Sequence, residues 1–248
     1  MIELKTLSQI ASMRKAGQIV AETLALMREM VHPGVTTQEL DRVAEDYIRK
    51  QGAVPAFKGY NGFPATLCTS VNEQVVHGLP GLRKLESGDI ISIDCGAVID
   101  GYFGDAAVTL PVGDIAPEVK QLLQVTEESL HQGITQAARG HRLHDISYAI
   151  QSYVERYGFS VVRDYVGHGI GKAMHEEPQI PNFGKPGRGP RLDVGMVLAI
   201  EPMVNKGTFE VRTLNDHWTV VTKDGQASAH FEHTVAITEN GPEILTRC

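Results

Sequence analysis

Two stretches of the chain end an apolar, strand-like run on a carboxylate. Leu85–Asp94 and Leu192–Glu201 lie 107 residues apart, and in each a leucine and an acid lead into a glycine before the apolar segment. A carboxylate at such a place is costly unless a proton, a hydrogen bond or a cation stabilises it. Two such strands in one chain suggest a cation shared between them.

A predicted β-hairpin brings a third carboxylate close to Asp94. Asp100-Gly101 lies between two apolar runs, which is a strong signal for a two-residue hairpin loop. That loop would pair Asp94 with Ala107 and place Asp105 diagonally beside Asp94 on the same face of the sheet. Two carboxylates held so closely repel each other unless a proton or a metal ion lies between them.

A fourth acid and a histidine complete a candidate ligand set. Glu232 lies within another strand pattern, and His168 lies in the glycine-rich turn Gly167–Gly171. Carboxylate and imidazole donors suit divalent ions such as Mn, Fe, Co or Zn. Four negative charges favour two ions over one. The predicted metal ligands are therefore Asp94, Asp105, His168, Glu201 and Glu232.

Segments with helical periodicity precede each group of predicted strands in the sequence. Apolar residues recur at helical spacing from Leu7 to Val31, and again in a segment that begins at Thr37 as a plausible N-cap and ends at Gly52. The pattern returns over 116–138 and 141–157. Strands are predicted over 66–72, 89–98, 102–111, 161–166, 192–204, 218–222 and 228–238.

The second and fourth predicted helices resemble each other in sequence. Leu40 and Tyr47 correspond to Ile146 and Tyr153, which lie 106 residues later. Coincidence between amphipathic helices is common, but the acid-ended strands at nearly the same offset favour an internal duplication. We therefore expect one pseudo-twofold α/β domain of α+β type, built from two halves of about 1–112 and 113–248.

Composition narrows the class of protein. The 248 residues carry a net charge of −7, so no basic field favours direct nucleic-acid recognition or an anionic membrane. Three scattered cysteines (Cys68, Cys95, Cys248) predict neither a disulfide framework nor a cysteine zinc site, and Cys95 is expected in the core. No apolar run is long enough to span a bilayer, so a cytoplasmic location is expected.

The ordered motifs resemble the methionine aminopeptidases of the "pita-bread" metallopeptidase family. The resemblance rests on the spacing of Asp94 and Asp105, on the Gly-His-Gly turn, and on the segments His-Glu-Glu-Pro, Ile-Glu-Pro and Phe-Glu-His-Thr. The segment from Cys68 to His77 is similar to the family's pocket segment. The match covers essentially the whole chain. With no N-terminal zinc-binding extension and no long insertion, it is similar to the short bacterial type I form.

The resemblance implies a fold and a metal arrangement. The fold would be a central antiparallel sheet with helices on one side. Two divalent ions (Co, Mn, Fe or Zn) would lie at its centre. Asp105 and Glu232 would bridge both ions, Asp94 would bind one of them, and His168 with Glu201 would complete the other.

The resemblance also implies an activity: removal of the N-terminal methionine from nascent proteins and peptides whose second residue is small. A metal-activated water would attack the first peptide bond. Glu201 would be the general base, His175 would stabilise the oxyanion, and His77 would contact the amide nitrogen beyond the scissile bond. An apolar slot for the methionine side chain would be lined by Tyr60, Phe63, Cys68, Met174 and Trp218.

Two alternatives compete with this interpretation. A prolidase or aminopeptidase P would carry a similar ligand set but usually adds a large N-terminal domain, whereas the first repeat here begins near Ile10. A catalytically inactive, peptide-binding relative would have lost metal ligands, and all five are present together with both histidines.

The same resemblance sets expectations for partners. The substrates would be N-terminal methionine peptides and nascent chains, a ribosome contact would suit them, and the chain would be a monomer. The basic loop 182–191, with Lys185, Arg188 and Arg191, is interpreted as a solvated surface loop rather than a binding patch.

Overall fold

The helices of the chain lie close to their predicted positions. The computed structural model describes residues 2–247, so Cys248 lies outside the described part. Thr6 and Thr36 begin the first two helices with capping boxes, in which each hydroxyl accepts from the amide three residues on. Thr36, not the predicted Thr37, is thus the N-cap of the second helix. The helices are α1 (Leu7–Met30), α2 (Thr37–Lys50), α3 (Pro117–Gln136) and α4 (Leu143–Arg156).

The strands form one large antiparallel sheet and two small ones. In the large sheet the order is β1-β4-β5-β14-β9-β7-β8, with β2 also paired to β4 and β15 to β14. The small sheets are β13-β10-β6 and β11-β12-β3. The strands are β1 (Val54–Pro55), β2 (Leu67–Val71), β3 (Gln74–Val76), β4 (Ile90–Ile99), β5 (Tyr102–Pro111), β6 (Ser160–Val161), β7 (Val166–Gly169), β8 (Glu176–Pro181), β9 (Val197–Ile200), β10 (Met203–Asn205), β11 (Val211–Thr213), β12 (Val220–Thr222), β13 (Ser228–His230), β14 (Glu232–Thr238) and β15 (Gly241–Ile244).

The β4–β5 hairpin confirms the predicted register. Asp94 lies opposite Ala107, and the strands join through Asp100 and Gly101, both with positive φ. A two-residue type I′ turn requires positive φ at both of its central positions. Asp105 lies opposite Gly96, so it is the diagonal neighbour of Asp94 on the same face.

Three long predicted strands are each divided in two. Residues 161–166 contain only the end of β6 and the start of β7, which belong to different sheets. The segment 192–204 breaks between β9 and β10, where Pro202 has no amide to donate. The segment 228–238 breaks at Phe231, between β13 and β14. Periodicity alone did not predict these breaks because each one separates strands that belong to different sheets.

The helices pack on one face of the large sheet, as expected. One core cluster joins α1 and α2 to β4 and β5 through residues such as Leu24, Leu40 and Ile93. A second joins α3 and α4 to β9 and β14 through residues such as Ile146 and Leu198. Cys95 is fully buried in the first cluster, so its thiol lies on the helix face and not beside Asp94.

The two halves correspond closely in position along the chain. The ends of α2 and α4 are 106 residues apart, as are those of β1 and β6. Isolated antiparallel bridges join Thr36 to Lys84 in one half and Arg142 to Arg191 in the other. These correspondences support the proposal of one domain made from two related halves. Within residues 2–247, no helix is both long and apolar enough to cross a membrane.

Helix α1 crosses β5 at a contact that only glycine allows. A Cβ built on Gly104 would lie 2.7 Å from the amide nitrogen of Gly17 and 2.8 Å from the carbonyl carbon of Ala16. Both are backbone atoms of a helix, which cannot move aside as a flexible side chain would. This close approach packs α1 directly against the strand that carries Asp105.

We predict that Gly104→Ala lowers the free energy of unfolding by about 1–3 kcal/mol, the usual cost of overpacking a dense core. Gly81→Ala is the matched control, because a Cβ there meets nothing within 4 Å and the backbone is not left-handed. Urea unfolding followed by circular dichroism measures both. Equal stabilities of the two variants would contradict the proposed close contact.

Candidate metal centre

The strand register places the predicted ligands on one face of the large sheet. Asp94 pairs with Ala107 on β5, and Ala107 pairs with Glu232 on β14. Two positions along β14, Thr234 lies opposite Ala199 on β9, which in turn lies opposite His168 on β7. Because directly paired residues share a face and alternate residues return to it, all these side chains project to the side away from the helices. Asp105, and Glu201 just beyond the end of β9, follow by the same alternation.

The side chains meet closely at this face. Nε2 of His168 lies 3.8 Å from Oδ2 of Asp105 and 3.5 Å from Oε1 of Glu201. Donor atoms of Asp105, His168 and Glu232 all lie within 4.8 Å of one another. Donor atoms of Glu201, His230 and Glu232 form a second group by the same measure. Glu232 belongs to both groups and therefore lies between them.

Burial and mutual repulsion raise the pKa of every carboxyl in the cluster. Burial, opposed by His230 and reinforced by the charge of Glu201, raises the pKa of Asp94 to about 7. Burial and the charge of Asp94 raise the pKa of Asp105 well above its ordinary value. Burial does the same to the pKa of Glu201 and Glu232. Without a cation these groups would therefore hold protons that free carboxyl groups lose at neutral pH.

Several buried polar atoms of the cluster have no hydrogen-bond partner. They are Oδ1 of Asp94, Oδ1 of Asp105, Oε1 of Glu232 and Nε2 of His230. Buried polar atoms are normally paired, so an orphaned set on converging side chains needs an explanation. Oxygen and imidazole donors fit a divalent ion, which would satisfy them together.

His168 is oriented as a ligand. Its Nδ1 lies 2.9 Å from the carbonyl oxygen of Gly169, which can only accept, so Nδ1 carries the proton. Nε2 is then left with a free lone pair facing the carboxylates. Burial lowers the pKa of His168 to about 4, which keeps the ring neutral at pH 7. A second hydrogen bond that sets the tautomer in this way is typical of metal-binding histidines.

His175 and His77 also line the site. The hydroxyl of Tyr60 lies 2.8 Å from Nδ1 of His175, and the ring of His175 lies 4.3 Å from that of His168. His175 is exposed, whereas His77 is partly buried and has a positive φ of 59°. Burial lowers the pKa of His77 to about 4 and also lowers that of His175. Both rings are therefore neutral hydrogen-bonding groups at pH 7.

A cavity of about 180 Å³ joins the carboxylates to an apolar wall. Phe63 and Trp218 meet edge to face there, with ring centroids 5.1 Å apart. Burial raises the pKa of the Cys68 thiol, so it is neutral and suits an apolar lining. Every predicted site residue lines this cavity: Tyr60, Phe63, Cys68, His77, Asp94, Asp105, His168, Met174, His175, Glu201, Trp218 and Glu232.

Three residues of the site are not among the predicted site residues. Phe57 and Asn61 also line the cavity, and His230 faces Glu201 and Glu232. His230 lies two residues before Glu232, and alternate strand residues share a face, so the spacing itself held the signal. A larger, open depression of about 960 Å³ lies between α4 and the basic loop, away from the carboxylates. Lys185 and Arg188 are exposed at its edge, as expected for a surface loop.

Comparison with known proteins agrees with this geometry. The chain is 60% identical over 247 residues to methionine aminopeptidase 1 of Bacillus subtilis, covering 100% of both chains. It superposes on the structure of methionine aminopeptidase from Thermotoga maritima with a TM-score of 0.98 and 51% identity, covering 100% of both. A Xaa-Pro dipeptidase from Bacillus anthracis shares only the fold, at 23% identity and a TM-score of 0.79, and the chain covers 62% of it. Residues 11–239 match the model of metallopeptidase family M24. The chain belongs to metallopeptidase family M24.

Proposed function

We propose that this chain removes the N-terminal methionine from peptides and nascent proteins whose second residue is small. The observation that carries the proposal is the position of the carboxylate and histidine cluster at the end of a small apolar cavity. The full-length relatives named methionine aminopeptidases support it. Only the fold is shared with the Xaa-Pro dipeptidase, which does not favour the prolidase alternative.

The donor set would hold two divalent ions, of Co, Mn, Fe or Zn. Asp105 and Glu232 would bridge them, Asp94 would bind one, and His168 with Glu201 would complete the other. Glu232 belongs to both groups of donor atoms, which supports its bridging position. When bound, such ions acidify a water molecule and stabilise negative charge.

The proton transfers would fall to Glu201 and the histidines. Glu201 reaches the cluster from the end of β9 and retains partial exposure, so it could accept a proton from the attacking water. If the hydroxyl of Tyr60 donates to Nδ1 of His175, the proton of the neutral ring is on Nε2. That Nε2–H is then free to donate to the developing oxyanion. His77, which also lines the cavity, would contact the next amide nitrogen.

Substrate selection would follow from the cavity. An unbranched thioether would suit the apolar wall made by Phe63, Met174 and Trp218 better than a branched side chain such as that of leucine. The free α-amino group would lie at the metal centre, which limits cleavage to N-terminal residues. A ribosome contact would suit nascent-chain substrates, and it remains part of the proposal together with a monomeric state and a cytoplasmic location.

The purified, cobalt-loaded protein should release methionine from a Met-Ala peptide at least tenfold faster than it releases leucine from the matched Leu-Ala peptide. Incubation with a chelator should abolish release, and Mn²⁺, Co²⁺ or Fe²⁺ should restore it. Released amino acids are measured by chromatography. Equal rates on the two peptides would refute the specificity, and full activity after chelation would refute the metal mechanism.

Glu201→Gln should lower kcat/KM by about 10²–10⁴-fold, the usual contribution of a positioned acid or base. His175→Ala should lower it by about 10²–10³-fold, through loss of an oxyanion donor. His141→Ala removes an exposed histidine and is the control. Because Glu201 is also a predicted ligand, bound cobalt is measured in each variant. Near-normal turnover in either variant would argue against its assigned role.

The metal-free protein should become more stable when Asp94 is replaced by Asn. An unfolded Asp ionises near about pH 3.9, whereas the pKa of Asp94 in the folded chain is raised to about 7. The cost of its buried charge is therefore complete above pH 7 and fades as pH falls toward 4. In thermal melts with chelator, Asp94→Asn should melt higher than the parent at pH 8, with a smaller difference at pH 5.

The exposed Asp114→Asn is the control for that series and should melt like the parent at both pH values. With Co²⁺ added, the order at pH 8 should reverse, because only the parent keeps all of its ligands. If the metal-free Asp94→Asn protein melted below the parent at pH 8, the ionised carboxylate of Asp94 would not destabilise the fold.

A further inference from the structure

His230 is a buried imidazole that none of the proposed steps uses. It ends β13, where its amide donates to Oγ1 of Thr109 at 2.9 Å and its carbonyl accepts from the same hydroxyl at 2.8 Å. The strand also pairs with β10 at Met203. Its backbone is thus held on two sides, and only 1% of the residue is exposed. The ring is aimed into the carboxylate cluster by a rigid support.

The ring nitrogen of His230 faces two carboxylates without bonding to either. Nε2 lies 3.6 Å from Oε2 of Glu201 and 3.9 Å from Oε2 of Glu232, and it has no hydrogen-bond partner. These distances are too long for a hydrogen bond. They nearly equal those from Nε2 of His168 to its own carboxylates, 3.5 and 3.8 Å. The two imidazoles lie beside different oxygens of the same carboxylate, Oε1 and Oε2 of Glu201.

Such separations are expected of ligands that share one ion. Two donors each about 2.1 Å from a metal are roughly 3.0 Å apart at a right angle and about 4.2 Å apart when opposite each other. The separations of His230 from Glu201 and Glu232 lie between these limits. The three donor atoms also lie within 4.8 Å of one another. The geometry therefore matches a shared ion better than a direct contact between side chains.

We propose that His230 is an additional metal ligand, binding through Nε2 the ion that Glu201 and Glu232 hold. The inference rests on the proposed metal centre and adds a second imidazole to its five predicted ligands. A second imidazole favours Zn, Fe or Co over oxygen-preferring ions such as Mg. It also leaves Glu201 with a metal-bound imidazole on each side, which restricts how far its carboxylate can rotate.

The proposal is tested by counting coordinated imidazoles. In the protein loaded with Co²⁺, each coordinated histidine contributes one hyperfine-shifted, solvent-exchangeable N–H signal to the proton NMR spectrum in water. The unmodified protein should show two such signals. His168→Gln and His230→Gln should each retain one, and they should lose different ones. His233→Gln is the matched control, because His233 also lies beside Glu232 but its Nδ1 lies 2.9 Å from Thr246, on the helix face.

Binding titrations with Co²⁺ add a second measurement. His230→Gln should raise the dissociation constant of the more tightly bound Co²⁺ ion by at least tenfold, while His233→Gln should leave that constant unchanged. The signal count of the unmodified protein decides the matter even if a variant fails to fold. A single signal, lost only in His168→Gln, would overturn the inference while the metal centre stands. Failure of the unmodified protein to bind cobalt at all would overturn both.

Discussion

The rest of the structure depends on the repulsion among carboxylates crowded on one face of a β-sheet. Asp94, Asp105 and Glu232 are held by strands that cannot separate without breaking their ladders, and burial raises the pKa of each. A sheet with acids on one face must obtain its stability from the other face, where the helices pack. The cluster is tolerable when it holds protons or cations, so metal binding must release protons and must depend on pH.

Because successive residues of a strand point to opposite faces, the acids and the apolar core residues lie on different sides of the sheet. On β4, Asp94 faces the cluster while Cys95 is fully buried under α1 and α2, and on β14 the neighbours Glu232 and His233 divide in the same way. A shift of register by one residue would send the acids into the helix core and the apolar side chains into the cavity. The tight turn at Asp100-Gly101 and the close packing of α1 against Gly104 both oppose such a shift. The turn and the glycine contact therefore protect the proposed site as well as the fold.

The features that the sequence predicted well are those with local causes. Helices α1 and α2 begin after capping threonines, and the β4–β5 register follows from a two-residue loop, so these features were predicted to within a residue or two. The breaks at Pro202 and Phe231 were not, because they occur where the chain passes from one sheet to another, which is a matter of tertiary packing. His230 was not predicted, although it lies two residues before Glu232 in the same predicted strand. All twelve proposed site residues line one cavity, whereas the roles assigned to them come from the resemblance.

One strand links the proposed metal centre to the proposed methionine slot. Asp94 on β4 is directly opposite Cys68 on β2, and Gly96 returns to the same face two residues later. A Cβ on Gly96 would lie 2.8 Å from the ring of Phe57 and 3.2 Å from the terminal methyl of Met174, so the missing side chain lets both approach the sheet. The group that would anchor the amino terminus and the wall that would select the side chain are thus held at a fixed separation by one backbone. If the amino terminus binds at the carboxylates, this fixed separation would set the length of the side chain that the slot accepts.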